Sequence, residues 1–159
     1  PPPLIHRASS SLSAGPSSQS DESITGGEEE EEEEVGDDGV VRFQGITLEA
    51  GLPVRRFLDA PPEAEYATVK IVTGSLPHGP HTVNLHAVPS ARGDLPVDSF
   101  KKLLLLKPHA NDAVALVPVK GGATLELCLQ LAWLGNPEPA LIDTVSVEFH
   151  SYGTAQYAT

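Results

Sequence analysis

Thr124-Leu125-Glu126-Leu127-Cys128-Leu129-Gln130-Leu131-Ala132-Trp133 is the stretch on which the fold turns. Leucine stands at 125, 127, 129 and 131, and Glu126, Cys128 and Gln130 stand between them. Successive side chains of a strand point to opposite faces, whereas a helix would scatter these four leucines around its circumference. The segment therefore reads as a strand from Thr124 to Trp133, with a leucine face on a core and a polar face turned away from it.

The same alternation recurs on both sides. Thr144 to His150 sets Val145, Val147 and Phe149 against Ser146 and Glu148. Tyr66 to Thr73 sets Ala67, Val69 and Ile71 against Thr68 and Lys70, and His81 to Val88 sets Val83, Leu85 and Ala87 against Thr82, Asn84 and His86. Val40 to Leu48, with a break expected at Gly45, Val54 to Leu58 and Ala113 to Val119 are further apolar runs. Lys101 to Lys107 contains Leu103 to Leu106 and is compatible with a strand or a short helix. Turns are expected at Leu76-Pro77-His78-Gly79-Pro80, at Gly121-Gly122 and at Gly135-Asn136-Pro137. Eight short strands at this spacing, with eleven prolines after residue 39, predict an all-β, antiparallel two-sheet sandwich of jelly-roll type. The order of strands within the sheets does not follow from the pattern.

Charge divides the chain differently. It has 159 residues and a formal charge of −12, but residues 1–39 alone carry −10, with Arg7 against eleven carboxylates that include Glu28 to Glu34. Residues 1–39 are expected to form a disordered, Ser/Glu-rich acidic segment, because they hold too few apolar groups to offset the entropy of ordering. Ser20 and Ser23 lie beside acidic residues and are conceivable phosphorylation sites that would change little locally. Residues 40–153 are expected to be the folded domain, nearly neutral at −2 with the last residues included, and 154–159 a short tail. Overall acidity argues against nucleic acid as a partner. No apolar run reaches the ~20 residues needed to cross a membrane as a helix. The chain begins with Pro1, which marks it as processed or as a piece of something longer.

The search for chemistry predicts no catalytic, cofactor-binding or metal-ligating residue. GxSxG, HExxH, CxxC and phosphate-cradling glycine loops are all absent from the sequence. His78, His81 and His86 cluster, but odd spacing on one strand sends His81 and His86 to opposite faces, so they read as ordinary loop and surface histidines. Cys128, the single cysteine, has no basic neighbour in sequence and reads as a passive thiol that can form no internal disulfide. Arg92-Gly93-Asp94 reads as a turn, and Arg55-Arg56 as a pair pointing to opposite faces, one exposed and one paired or at an edge. Sugar sites need exposed rings, and several of Phe43, Phe57, Phe100, Phe149, Tyr66, Tyr152, Tyr157 and Trp133 fall at core positions, which argues against sugar binding.

Four stretches carry a family resemblance: GITLEAGLPVRRFLDAP (45–61), VNLHAV (83–88), VKGGATLELCLQLAW (119–133) and LIDTVSVEFHSYG (141–153). Together they resemble the galactose-binding-like β-sandwich domain of the tripeptidyl-peptidase II family, over Val40 to Gly153. That resemblance implies a cytoplasmic serine exopeptidase with a subtilisin-type catalytic domain, in which this domain lies C-terminal to the protease domain and the enzyme forms very large homo-oligomers. Two departures stand out. Ala132 replaces a second aromatic common in the family, and the Ser/Glu segment stands where a preceding domain is expected. None of the subtilisin signatures occurs, so no catalytic Asp, His or Ser carries over. The expectation is a non-catalytic accessory domain whose partners are neighbouring domains and further copies. The alternative is a free-standing module for a glycan or protein ligand.

Overall fold

The computed structural model describes residues 33–90, 99–108 and 112–154. Within these, nine strands run in chain order: β1 (Glu33–Val35), β2 (Val41–Leu48), β3 (Val54–Asp59), β4 (Tyr66–Thr73), β5 (His81–Ser90), β6 (Phe100–Leu106), β7 (Asp112–Pro118), β8 (Thr124–Leu131) and β9 (Ala140–His150). Among the described residues a 3-10 turn, Tyr152–Thr154, follows. The strands form two antiparallel sheets, β1-β2-β9-β4-β7 and β3-β8-β5-β6. Successive strands from β2 onward change sheet except at β5–β6, an order consistent with the jelly-roll type.

The alternating residues meet between the sheets. Leu125, Leu127, Leu129 and Leu131 of β8 are buried against Ala67, Val69 and Ile71 of β4, Val83 and Leu85 of β5 and Val145 and Val147 of β9, all in one cluster. Glu126, Cys128 and Gln130 lie on the other face, half-buried. Leu103 to Leu106 belong to a strand, with Leu104 and Leu106 inward and Leu103 and Leu105 exposed. The three expected turns are present. Gly79, Gly122 and Gly135 hold φ values of 95°, 74° and 125°, and the Gly79 N–H donates to the Leu76 carbonyl at 3.2 Å.

Several boundaries differ from expectation. Gly45 does not end β2. It adopts φ 66° inside the strand, and the inward set changes from Val41 and Phe43 to Ile46 and Leu48. Opposite it, β9 turns Asp143 and Thr144 off the core in succession, and the β4–β9 register shifts between Val72 and Thr73. This irregularity hides Ala140 and Ile142 from a period-two reading, so β9 begins four residues before Thr144. β8 stops at Leu131, two residues short of Trp133. Thr154 belongs to the 3-10 turn rather than to a tail.

The acidic segment also differs at its end. Most of the span 1–39 lies outside the described residues, but Glu33 to Val35 pair with Phe43 to Val41 of β2. All three side chains of β1 are exposed, so no hydrophobic pattern announces the strand. Backbone pairing and the connecting turn hold it. The Gly36 N–H donates to Val40 O at 3.1 Å, Gly39 adopts φ 73°, and Arg42 Nη2 meets Asp38 Oδ2 at 2.6 Å. The hydrogen bond from Arg42 and that from the Val40 N–H hold the Asp38 carboxyl down to about 2. A depressed carboxylate contributes stability above its unfolded value of 3.8 and loses it as pH falls through about 2. Asp38→Asn should therefore speed amide exchange in β1 at neutral pH, and the difference from the parent chain should vanish near pH 2. An equal difference at both pH values would show that the charge is not the cause.

Candidate functional site

The outer face of the five-stranded sheet carries an aromatic group. Tyr66 opens β4 directly opposite His150, which closes β9. Their rings stack with centroids 4.7 Å apart, and Tyr152, beyond the end of β9, tilts onto Tyr66 at 5.1 Å. The Tyr152 N–H donates to Glu65 Oε2 at 2.9 Å, which anchors the third ring although its side chain is exposed. Leu116 and Pro118 of β7 complete a groove of about 490 Å³. Sequence reading assigned His150 only to the end of a strand. The cross-strand register that stacks it on Tyr66 is invisible in a linear pattern.

Thr68, His150 and Glu148 line up beside these rings. Thr68 Oγ1 lies 2.9 Å from His150 Nε2, and His150 Nδ1 lies 3.9 Å from Glu148 Oε1. A hydroxyl, an imidazole and a carboxylate in this order have the components of a nucleophilic triad. The geometry falls short of one, because 3.9 Å exceeds a hydrogen bond. The backbone around Thr68 is also committed to ladders with β7 and β9, so it offers no pair of N–H groups for an oxyanion. The Thr68 contact orients the ring for stacking.

The four-stranded sheet presents a different outer face. Cys128 stands directly opposite His86 of β5 and Arg55 of β3. The thiol thus has two basic neighbours by register, although it has none in sequence. Arg55 Nε lies 3.6 Å from Glu126 Oε1 across the sheet. Arg56 points the other way, its guanidinium 5.4 Å from the centre of the Phe43 ring, so the opposed-face reading of the two arginines holds. Asn84, His86, Lys101, Leu103 and Gln130 line a second groove of about 490 Å³ at the β5–β6 side of this face.

The three histidines part company. His78 is exposed in the turn before β5. His81 is not a surface residue but is buried at the start of β5, where Nε2 meets the Glu138 carbonyl at 3.0 Å. It occupies the same inward parity as Val83, Leu85 and Ala87, so the strand buries it regardless of polarity. His86 faces outward, as the odd spacing requires. Among the described residues no three His, Cys, Asp or Glu side chains come together as a metal site. Arg92-Gly93-Asp94 lies outside the described residues.

One end of the sandwich is apolar. Trp133, Leu134 and Leu52 are 75%, 89% and 61% exposed. They follow β8 and precede β3, and Ala50 bridges Leu131 between them. Gly51 adopts φ 82° and lies against the Trp133 indole, 3.4 Å from where a Cβ would stand. Phe57 and Tyr152 are exposed as well, so fewer rings serve the core than their positions imply.

No family model matches the chain, and none of the curated proteins does. Among solved structures the chain is similar to tripeptidyl peptidase 2 (TPP II), with a TM-score of 0.57 at 18% identity over 72% of this chain and 10% of that one. No helix among the described residues is long and apolar enough to cross a membrane. In fold, the sandwich is similar to a segment making up a tenth of the TPP II chain.

Proposed function

We propose that this chain is a non-catalytic accessory domain of a tripeptidyl-peptidase II-like serine exopeptidase of the cytoplasm, packing against neighbouring domains and supporting homo-oligomer assembly. The observation that carries the proposal is the apolar end formed by Trp133, Leu134 and Leu52. Exposed large apolar groups gathered at one end mark a surface that another surface covers, and tryptophan is the side chain that most often anchors such contacts. The fold likeness to part of TPP II supports the choice of parent. The chain requires no cofactor and no metal in this role.

Trp133→Asp tests it in the protein that carries this segment. The expected result is a shift to smaller assemblies in size-exclusion chromatography, with the isolated chain melting as before, since an exposed site changes stability by only ~0.5 kcal/mol. Unaltered assembly would remove the support for this end as the contact. The groove of Tyr66, His150 and Tyr152 favours a second reading, a free-standing module that stacks a glycan or protein ligand on its rings. The reading frame around the segment separates the two, because only the first requires a subtilisin-type catalytic domain in the same chain.

A further inference from the structure

Strand β6 ends the four-stranded sheet, with β5 on one side and no strand on the other among those described. Its outer edge therefore offers backbone N–H and C=O groups for one more strand. Two of the seven side chains of β6, Lys101 and Lys102, are cationic. Lys101 and Lys102 are exposed in sequence along β6, on opposite faces, and Lys102 Nζ reaches the Val114 carbonyl of β7 at 3.4 Å. Lys101 stands directly opposite His86, and Asn84 stands opposite both Leu103 and Gln130. Among the described residues no carboxylate lines the groove between them. His86 Nε2 is shielded there without a hydrogen-bond partner among the described residues.

We propose that the β6 edge, with Lys101 and Lys102 beside it, binds an extended acidic peptide segment of a partner protein, added as a strand antiparallel or parallel to β6. The inference does not depend on the peptidase reading. Backbone bonds to β6 would supply the docking. Alternate carboxylates of the peptide would fall beside Lys101, whose ammonium can donate to them, while His86 and Gln130 lie on β5 and β8, farther in from that edge. Lysines on an edge also repel basic strands and resist self-addition, so the same residues select for acid. The chain itself shows that a glutamate-rich segment can join an edge of this sandwich, since Glu33 and Glu34 pair with β2.

A labelled peptide with the sequence of residues 28–35, seven glutamates and a valine, is the probe, titrated into the whole chain by fluorescence anisotropy. Saturable binding is expected, weakening with added salt. Replacing the glutamates by glutamine, or making Lys101→Glu with Lys102→Glu, should weaken binding by at least about tenfold, the loss expected when attractive rim charges are reversed. Both lysines are exposed, so the variant should fold, and its melting curve checks this. Amide exchange in β6 should slow when peptide is added and stay unchanged in β7. Equal binding of the glutamate and glutamine peptides, equal binding by the variant, or no binding would overturn the proposal. So would a monomer–dimer equilibrium abolished by the lysine changes, since a second copy would then be the occupant.

Discussion

Leu127→Ala is expected to lower the unfolding free energy by ~2–5 kcal/mol, the range for removing a buried leucine and leaving a cavity. Leu127 is 2% exposed at the centre of β8, with Ala87 of β5 on one side and Arg56 of β3 on the other. Both neighbouring strands are fixed by their own ladders, so the surroundings cannot collapse easily into the space. A domain of this size has only ~5–15 kcal/mol of stability in total, so the loss should appear as a large shift of a urea or thermal midpoint. Gln130→Ser, three residues on and on the opposite face, should cost ~0.5 kcal/mol or less. The pair of variants reads the two faces of one strand. Equal losses would mean that the outer face of β8 is covered in solution, and the placement of the groove beside Gln130 would fail with it.

Gly121→Ala should destabilise by ~1–3 kcal/mol or more, as overpacking of a tight contact does. A Cβ at Gly121 would run into the backbone carbonyl of Pro62 and come within 3.0 Å of the Ala64 carbonyl oxygen. Neither group can swing aside, because both belong to main chain held from several directions. The Ala60 N–H donates to Ala123 O at 3.0 Å, the Gly122 N–H to Ala60 O at 3.1 Å, and the Val119 N–H to Glu65 O at 3.0 Å. The β7–β8 turn and the β3–β4 connection are thus pressed together. Gly122 supplies the control. It needs a left-handed backbone, φ 74°, but has open space where a Cβ would stand. Gly122→Ala should therefore cost only the ~1–2 kcal/mol of that conformation. A larger loss at Gly122 than at Gly121, measured by thermal unfolding, would show that the two segments do not touch as described.

The two glycines also show where linear pattern stops. A Gly-Gly pair between apolar runs announces a turn, and the turn is there; which glycine bears the close contact depends on a segment nearly 60 residues away. The cationic groove and the aromatic group have the same origin. His86 meets Lys101 and Cys128, and Tyr66 meets His150, only because antiparallel registers bring distant residues opposite each other. Leu103, Leu105, Trp133 and Leu134 are apolar yet exposed, so hydropathy alone assigns them to a core they do not join.

What the amino-acid sequence determined by itself is most of the strands, all but β1 and with β6 left open between strand and helix, and the faces they bury. Side chains alternate with period two in any strand, so Leu125 to Leu131, Val83 to Ala87 and Ala67 to Ile71 declare their inward face without reference to a partner. Where that period breaks, at Gly45 and at Asp143-Thr144, the reading lost Ala140 and Ile142 as well. β1 escaped it too, because three exposed residues held by main-chain bonds leave no side-chain signal. Only the tertiary structure decided the order of the strands, the burial of His81 and the surfaces left open at β6 and Trp133. Those depend on pairing between residues far apart in the chain, and backbone hydrogen bonds are the same whichever residues supply them.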